Sequence, residues 1–247
     1  MKPSFLLLFL IVLVCPVTLA SEGKLTVATF IEPPFAFLVD NEFVGEHVEI
    51  VKTLSKSLNL TPIFIRCPFA RCLTLVEQGK ADLIFGLKKL PEREKNLIFL
   101  HPPYMVQHFP LRFFTLASKE IEINNIDDLK HLTVGVLRGG SYFELFDNNS
   151  MIEKVELNSR EQLVNMLLRG RIDTFIEREE SILPFLSIEE YYQKFSLANY
   201  QYDKAANSYI AISKHSNVKY LAKSLSEQLN KLVSNGTIET IRMKKQH

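Results

Sequence analysis

Apolar positions along this chain switch between two periods, and the switching predicts an α/β protein. In "EIVKTLSKSLNL", Ile50, Val51, Leu54 and Leu58 recur at helical spacing and share one face. Apolar runs of strand length flank it, "KLTVATF" before and "TPIFIR" after. "LTVGVL" is a further strand, running into the Gly139-Gly140-Ser141 turn and a short helix. "SYIAISK" is a late strand, followed by a helix over 218–233. "NGTIETI" then reads as a stop and a final turn; Asn235-Gly236-Thr237 also fits a glycosylation sequon, but helix termination explains it better. Strands and helices in alternation predict α/β lobes with largely parallel sheets.

Two segments share a pattern. "FARCLTLVEQGKADLIFG" (69–86) and "REQLVNMLLRGRIDTFIE" (160–177) each run through an apolar-periodic helix, a glycine, a basic residue, an apolar residue, an aspartate and an apolar strand. Counted back from the glycine, Leu73 and Val76 correspond to Val164 and Leu167. Gly79 and Gly170 read as left-handed helix stops. The shared spacing predicts two related lobes.

The first residues set the compartment. Lys2, the unbroken apolar run 5–14 and the small residues of "TLASEG" form a secretory leader with cleavage expected near Ala20, the run being too short to span a bilayer. Val14 before Cys15 argues against lipid attachment. The 29 basic residues include Lys2 and the leader holds no acid, so the exported part balances 28 against 28. That balance argues against nucleic acid or an anionic membrane surface as partner. With Cys15 removed, Cys67 and Cys72 are the only cysteines, in an oxidising compartment.

Those two cysteines lie in "RCPFARC" (66–72). A metal site would need more ligands nearby, a redox site more typically has C-x-x-C spacing, and a nucleophile needs a base and an orienting group. The leading expectation is a disulfide between Cys67 and Cys72 that holds Phe69 and Arg71 in place. The alternative is a pair of free, buried thiols. No metal or cofactor is expected.

Taken in order, "LTVATFIEPPFAF", Gly45 opening a helix, "EQGKADLIFG", "PEREKNLIFLHPPY", "LTVGVLRGGS", "RGRIDTFI" and "NGTIETI" resemble the family 3 extracellular solute-binding proteins, the periplasmic receptors typified by amino-acid uptake. The resemblance covers essentially the whole exported chain. It implies the two-lobed type II periplasmic binding protein fold: two α/β lobes joined by a two-segment hinge that closes on a ligand. Mapped on this chain, 1–20 is the leader, 21–107 and 206–247 form lobe I, and 108–205 forms lobe II. It further implies a periplasmic monomer that delivers a small ligand to the permease of an ABC importer. A receptor serving a membrane sensor, or a dehydratase-like enzyme using Glu32, Glu177 or Glu179 as acid, are the alternatives.

The resemblance also nominates residues. Phe69 falls where the family sets an aromatic ring against the ligand, and Phe35 is a second candidate wall. Arg93 matches the arginine that clamps the ligand carboxylate. Gly140 and Ser141 offer backbone N–H groups and a hydroxyl before a helix; Ser141 also reads as an N-cap. The pattern departs in two places. "GLKKLPER" lacks the hydroxyl residues expected before Arg93, and the acidic residue that holds the ligand's ammonium falls on Arg178, between Glu177 and Glu179. Three readings stand: a ligand with two anionic ends held by Arg93 and Arg178; Arg178 turned to solvent with Glu177 or Glu179 taking the amine; or a cleft with no such pairing.

Overall fold

The computed structural model describes residues 23–243, so the expected leader and its cleavage position lie outside the described residues. Two sheets organise the chain. The first runs Leu60–Arg66, Gly23–Thr29, Leu83–Leu87, Ala206–Ser213, Leu97–Phe99, with Met105–Gln107 also pairing with Ala206–Ser213. The second runs Glu153–Leu157, Thr133–Leu137, Thr174–Arg178, Leu111–Leu116, Phe195–Tyr202. Each sheet with its helices is one lobe. The segments 108–110 and 203–205 cross between them side by side, since Gln107 pairs with Ala206 and Leu111 with Tyr202.

The expectation of largely parallel sheets is corrected. Each sheet is parallel on one side and antiparallel on the other. The strand entering from the other lobe causes this: Ala206–Ser213 runs against both Leu83–Leu87 and Leu97–Phe99, and Leu111–Leu116 against both Thr174–Arg178 and Phe195–Tyr202. Apolar spacing carries no strand direction, so the sequence could not supply it.

Alternating burial explains the packing. On Leu111–Leu116, the neighbours Phe113 and Phe114 point to opposite faces and join separate apolar clusters. Phe114 stacks on Phe175 with centroids 4.7 Å apart, under Leu163 and Leu167 of the covering helix. In lobe I the helix Glu46–Lys56 buries Val48, Ile50, Val51 and Leu54. Each such side chain contributes about 1.5–3 kcal/mol on leaving water. The late helix begins as a 3-10 turn, Lys219–Leu221, and continues as Ala222–Ser234; the expected final turn is the helix Thr237–Met243.

The two similar segments fold alike. Phe69–Glu77 and Arg160–Leu168 are helices of nine residues stopped at Gly79 (φ 71°) and Gly170 (φ 63°), both left-handed. The next N–H closes each stop, Lys80 to the Leu75 carbonyl at 2.8 Å and Arg171 to the Met166 carbonyl at 3.0 Å. The aspartate has a structural task. Asp82 accepts from Thr26 N–H at 2.8 Å and Asp173 from Thr133 N–H at 3.0 Å, each tying its helix exit to the start of the neighbouring strand.

Candidate functional site

Strand ends build the site. Phe30 follows Gly23–Thr29, Lys88 follows Leu83–Leu87, Gly140 and Ser141 lie just past Thr133–Leu137, and Arg178 ends Thr174–Arg178. Ligands of open α/β sheets bind outside the carboxyl ends of parallel strands. These residues line one cavity between the lobes together with Glu32, Phe69, Arg93, Tyr142, Arg160 and Glu177.

Arg160 dominates its electrostatics. Its Nη2 lies 2.9 Å from Glu32 Oε1 of lobe I and its Nε 3.2 Å from Glu177 Oε1 of lobe II, all three side chains being buried. Burial alone would lower the Arg160 pKa, but Glu177 and Glu32 together hold it above its ordinary value. Burial raises the Glu32 carboxyl, against the pull of Arg160. Behind Glu32, Gly86 N–H donates to Tyr104 Oη (3.1 Å), which lies 3.1 Å from His47 Nδ1. When the Tyr104 hydroxyl donates to Nδ1, the neutral His47 ring carries its single proton on Nε2, 3.9 Å from Glu32. Burial, then Arg160, holds His47 neutral, with its pKa lowered to about 3.

Two further links cross the cleft. Lys88 Nζ donates to the Tyr142 carbonyl at 2.5 Å, and Arg93 Nη2 to the Gly139 carbonyl at 3.0 Å. Burial, then the nearby Arg178, lowers Lys88 to about 8. Arg178 is buried against the same cavity, and its Nη1 makes no hydrogen bond among the described residues. Burial lowers the pKa of Arg178 and Arg93, yet a guanidinium starts so high that both stay charged. Glu180, the acid acting most strongly on Arg178, has its own carboxyl pushed up by burial.

The nominated residues divide as follows. Phe69 lines the cavity, its ring edge-on to Phe30 at 4.9 Å and under the Arg93 guanidinium at 5.9 Å. Cys67 and Cys72 are bonded, tying the end of Leu60–Arg66 to the first turn of the Phe69 helix. Arg93 lines the cavity, but Nη1 donates to the Lys88 carbonyl and Nη2 to Gly139, so it braces the closed lobes. Gly140 and Ser141 are at the wall; Gly140 N–H donates to the Leu137 carbonyl and the Ser141 hydroxyl to Asp147. Ser141 is not an N-cap, since Phe143 caps the short helix Glu144–Asp147. Phe35 does not line this cavity; its ring stacks on His47 at 5.1 Å, and Phe30 takes the wall. Arg178 is not turned to solvent, Glu177 is engaged by Arg160, and Glu179 accepts from Tyr191 Oη at 2.6 Å.

Sequence reasoning missed Arg160, Lys88 and Tyr142. For Arg160 a signal existed: it opens the second similar segment where Phe69 opens the first. Lys88 stood inside the departure already noticed, "GLKKLPER".

The family model for bacterial extracellular solute-binding proteins, family 3, matches residues 25–245. The chain belongs to that family. Its members bind solutes and are not enzymes, which sets aside the dehydratase alternative. The arginine-binding extracellular protein ArtP of Bacillus subtilis is 24% identical over 218 residues, covering 85% of this chain and 81% of ArtP. The histidine-binding periplasmic protein of Escherichia coli is 26% identical over 143 residues, 56% of this chain and 53% of that protein. Among solved structures, an ancestral arginine-binding protein bound to arginine superposes with TM-score 0.76 at 21% identity, covering 90% of this chain and 97% of that one. AbpA from Streptococcus pneumoniae bound to L-arginine gives 0.72 at 24%, covering 89% and 93%. As a family 3 solute-binding protein the chain is two-lobed and takes a small solute as partner.

Proposed function

We propose that this protein captures a small carboxylate-bearing solute in the periplasm, closing on it about the segments 108–110 and 203–205, and delivers it to the permease of a membrane ABC importer. Arg178 carries the reading. A buried donor without a partner costs about 1–3 kcal/mol, and a carboxylate at Nη1 removes that cost. The charge around it points the same way: four cations, Lys88, Arg93, Arg160 and Arg178, line the cavity against two acids, Glu32 and Glu177. A neighbouring pocket, sharing Lys88, Tyr142 and Arg178 with the cleft, adds Lys89 and Lys204 and is lined by no acid among the described residues. The relatives named for arginine take a cation; this cleft is set for the opposite charge. Both acids are already paired with Arg160 through one oxygen each, so among the described residues the cavity lining holds no acid without a cationic partner for a ligand ammonium.

The cavity amounts to about 90 Å³. An amino-acid-sized solute therefore requires the lobes to part from this arrangement and reclose. A thermal-shift screen of residues 21–247 tests the reading, using succinate, glutamate, glutamine, arginine, putrescine and glucose. Ligands of the native state raise Tm by mass action. The carboxylates should raise it, succinate and glutamate most; a rise with putrescine or glucose alone would overturn the proposal, and a rise with arginine but with neither anion would overturn the charge preference.

A further inference from the structure

The Arg160 guanidinium sits where no local rule puts it. It is the first residue of the helix Arg160–Leu168, and the positive end of a helix dipole disfavours a cation there. Ser159 already caps that helix, its hydroxyl accepting from Gln162 N–H at 3.2 Å. What holds the guanidinium is a pair of buried carboxylates from opposite lobes, at 2.9 and 3.2 Å. Glu32 is in turn held through its backbone, its N–H donating to the Ala36 carbonyl and its carbonyl accepting from Phe35 and Ala36 N–H, and Glu177 lies on the central strand Thr174–Arg178. Without Arg160 those two acids would flank a buried, guanidinium-sized hole bordering the ligand cavity.

We infer that Glu32 and Glu177 form a cation subsite of the cleft and that Arg160 is its tethered occupant, so that the chain excludes cationic solutes by carrying its own. Three observations support this. The two acids belong to different lobes, as the walls of a ligand site do and as a surface ion pair need not. The group they hold borders the cavity, along with Phe69 and Arg178. The corresponding position of lobe I holds Phe69, so the shared helix–glycine–strand scaffold does not itself require a charge. A tethered occupant needs no external concentration, so a free cation would have to displace an intramolecular partner. This inference rests on the cleft being the ligand site, but not on the ligand being an anion.

The test is Arg160→Ala, titrated with guanidinium chloride and with L-arginine at low millimolar concentration against matched sodium chloride, read by Tm and calorimetry. The native protein should show no response to either. Arg160→Ala should gain Tm with both and bind arginine at least about tenfold more tightly than the native protein, about 1.4 kcal/mol. If the single variant fails to fold, Arg160→Ala with Glu177→Gln removes one charge of each sign, keeps Glu32, and should show the same gain more weakly. Adding Glu32→Gln should abolish it. A latch with no ligand role would lower Tm in Arg160→Ala without creating cation binding, and that outcome overturns the inference. So does arginine binding equally to the native protein. The anion screen is scored separately, so its failure leaves this result readable.

Discussion

Phe69 and Arg160 are the same place in two lobes. Each stands ten positions before its helix-stopping glycine, at the start of a nine-residue helix whose exit is anchored by an aspartate. Lobe I puts an apolar ring there, fixed by a disulfide at the helix start and by Phe30. Lobe II puts a charge there, fixed by two carboxylates, one of them across the cleft. One backbone frame therefore offers both an apolar wall and an electrostatic tie. The frame sets position; the side chain sets which energy term is at stake.

The largest effect should separate the two. Arg160→Ala strands two buried acids and should cost about 3–5 kcal/mol in urea unfolding, the range for breaking a buried pair. Phe69→Ala should cost less than about 3 kcal/mol, the floor for a fully enclosed phenylalanine, because one side of its ring faces the cavity. Equal costs would break the comparison. Next comes the disulfide. Replacing Cys67 and Cys72 by serine should cost about 2 kcal/mol, the value for so short a loop, and should also weaken ligand binding as Phe69 loosens. Unchanged affinity would show that the bond does not position the ring.

Smaller effects sharpen the frame itself. Gly170→Ala should cost about 1 kcal/mol for its left-handed backbone, since an added Cβ would meet only the flexible end of Lys119 at 3.8 Å. Gly79→Ala should cost clearly more, its Cβ lying 2.7 Å from the His215 carbonyl oxygen. Thermal melts of the pair decide whether the two stops are equally constrained. A further effect is one of pH. Lys88 falls from 10.5 unfolded to about 8 in the fold, so the unfolded chain holds the extra proton between those values. Stability of the unliganded protein should therefore rise with pH across that window. Anion affinity should move the other way, falling from pH 7 to 9 by no more than about tenfold as Lys88 loses its charge.

Much of the frame was legible beforehand. Helix and strand positions followed from period, the twin segments from their glycine and aspartate spacing, and the Cys67–Cys72 bond from the chemistry of "RCPFARC". Strand direction was not legible, because a strand returning from another lobe has the same apolar pattern whichever way it runs. Site chemistry was partly hidden for a related reason. Which partner a buried charge finds depends on residues far apart in sequence, as with Glu32 and Arg160, and no local pattern records that meeting. Phe35 illustrates the converse: it sits in the right motif, but packing on His47 turns it away from the cavity.

The most direct test of the cleft's charge preference is calorimetric titration of the best-shifting carboxylate into the native protein and into Arg178→Gln. Binding should be clear in the native protein and at least about tenfold weaker in the variant, the equivalent of about 1.4 kcal/mol. Equal affinity in both, or binding confined to cations, would contradict it.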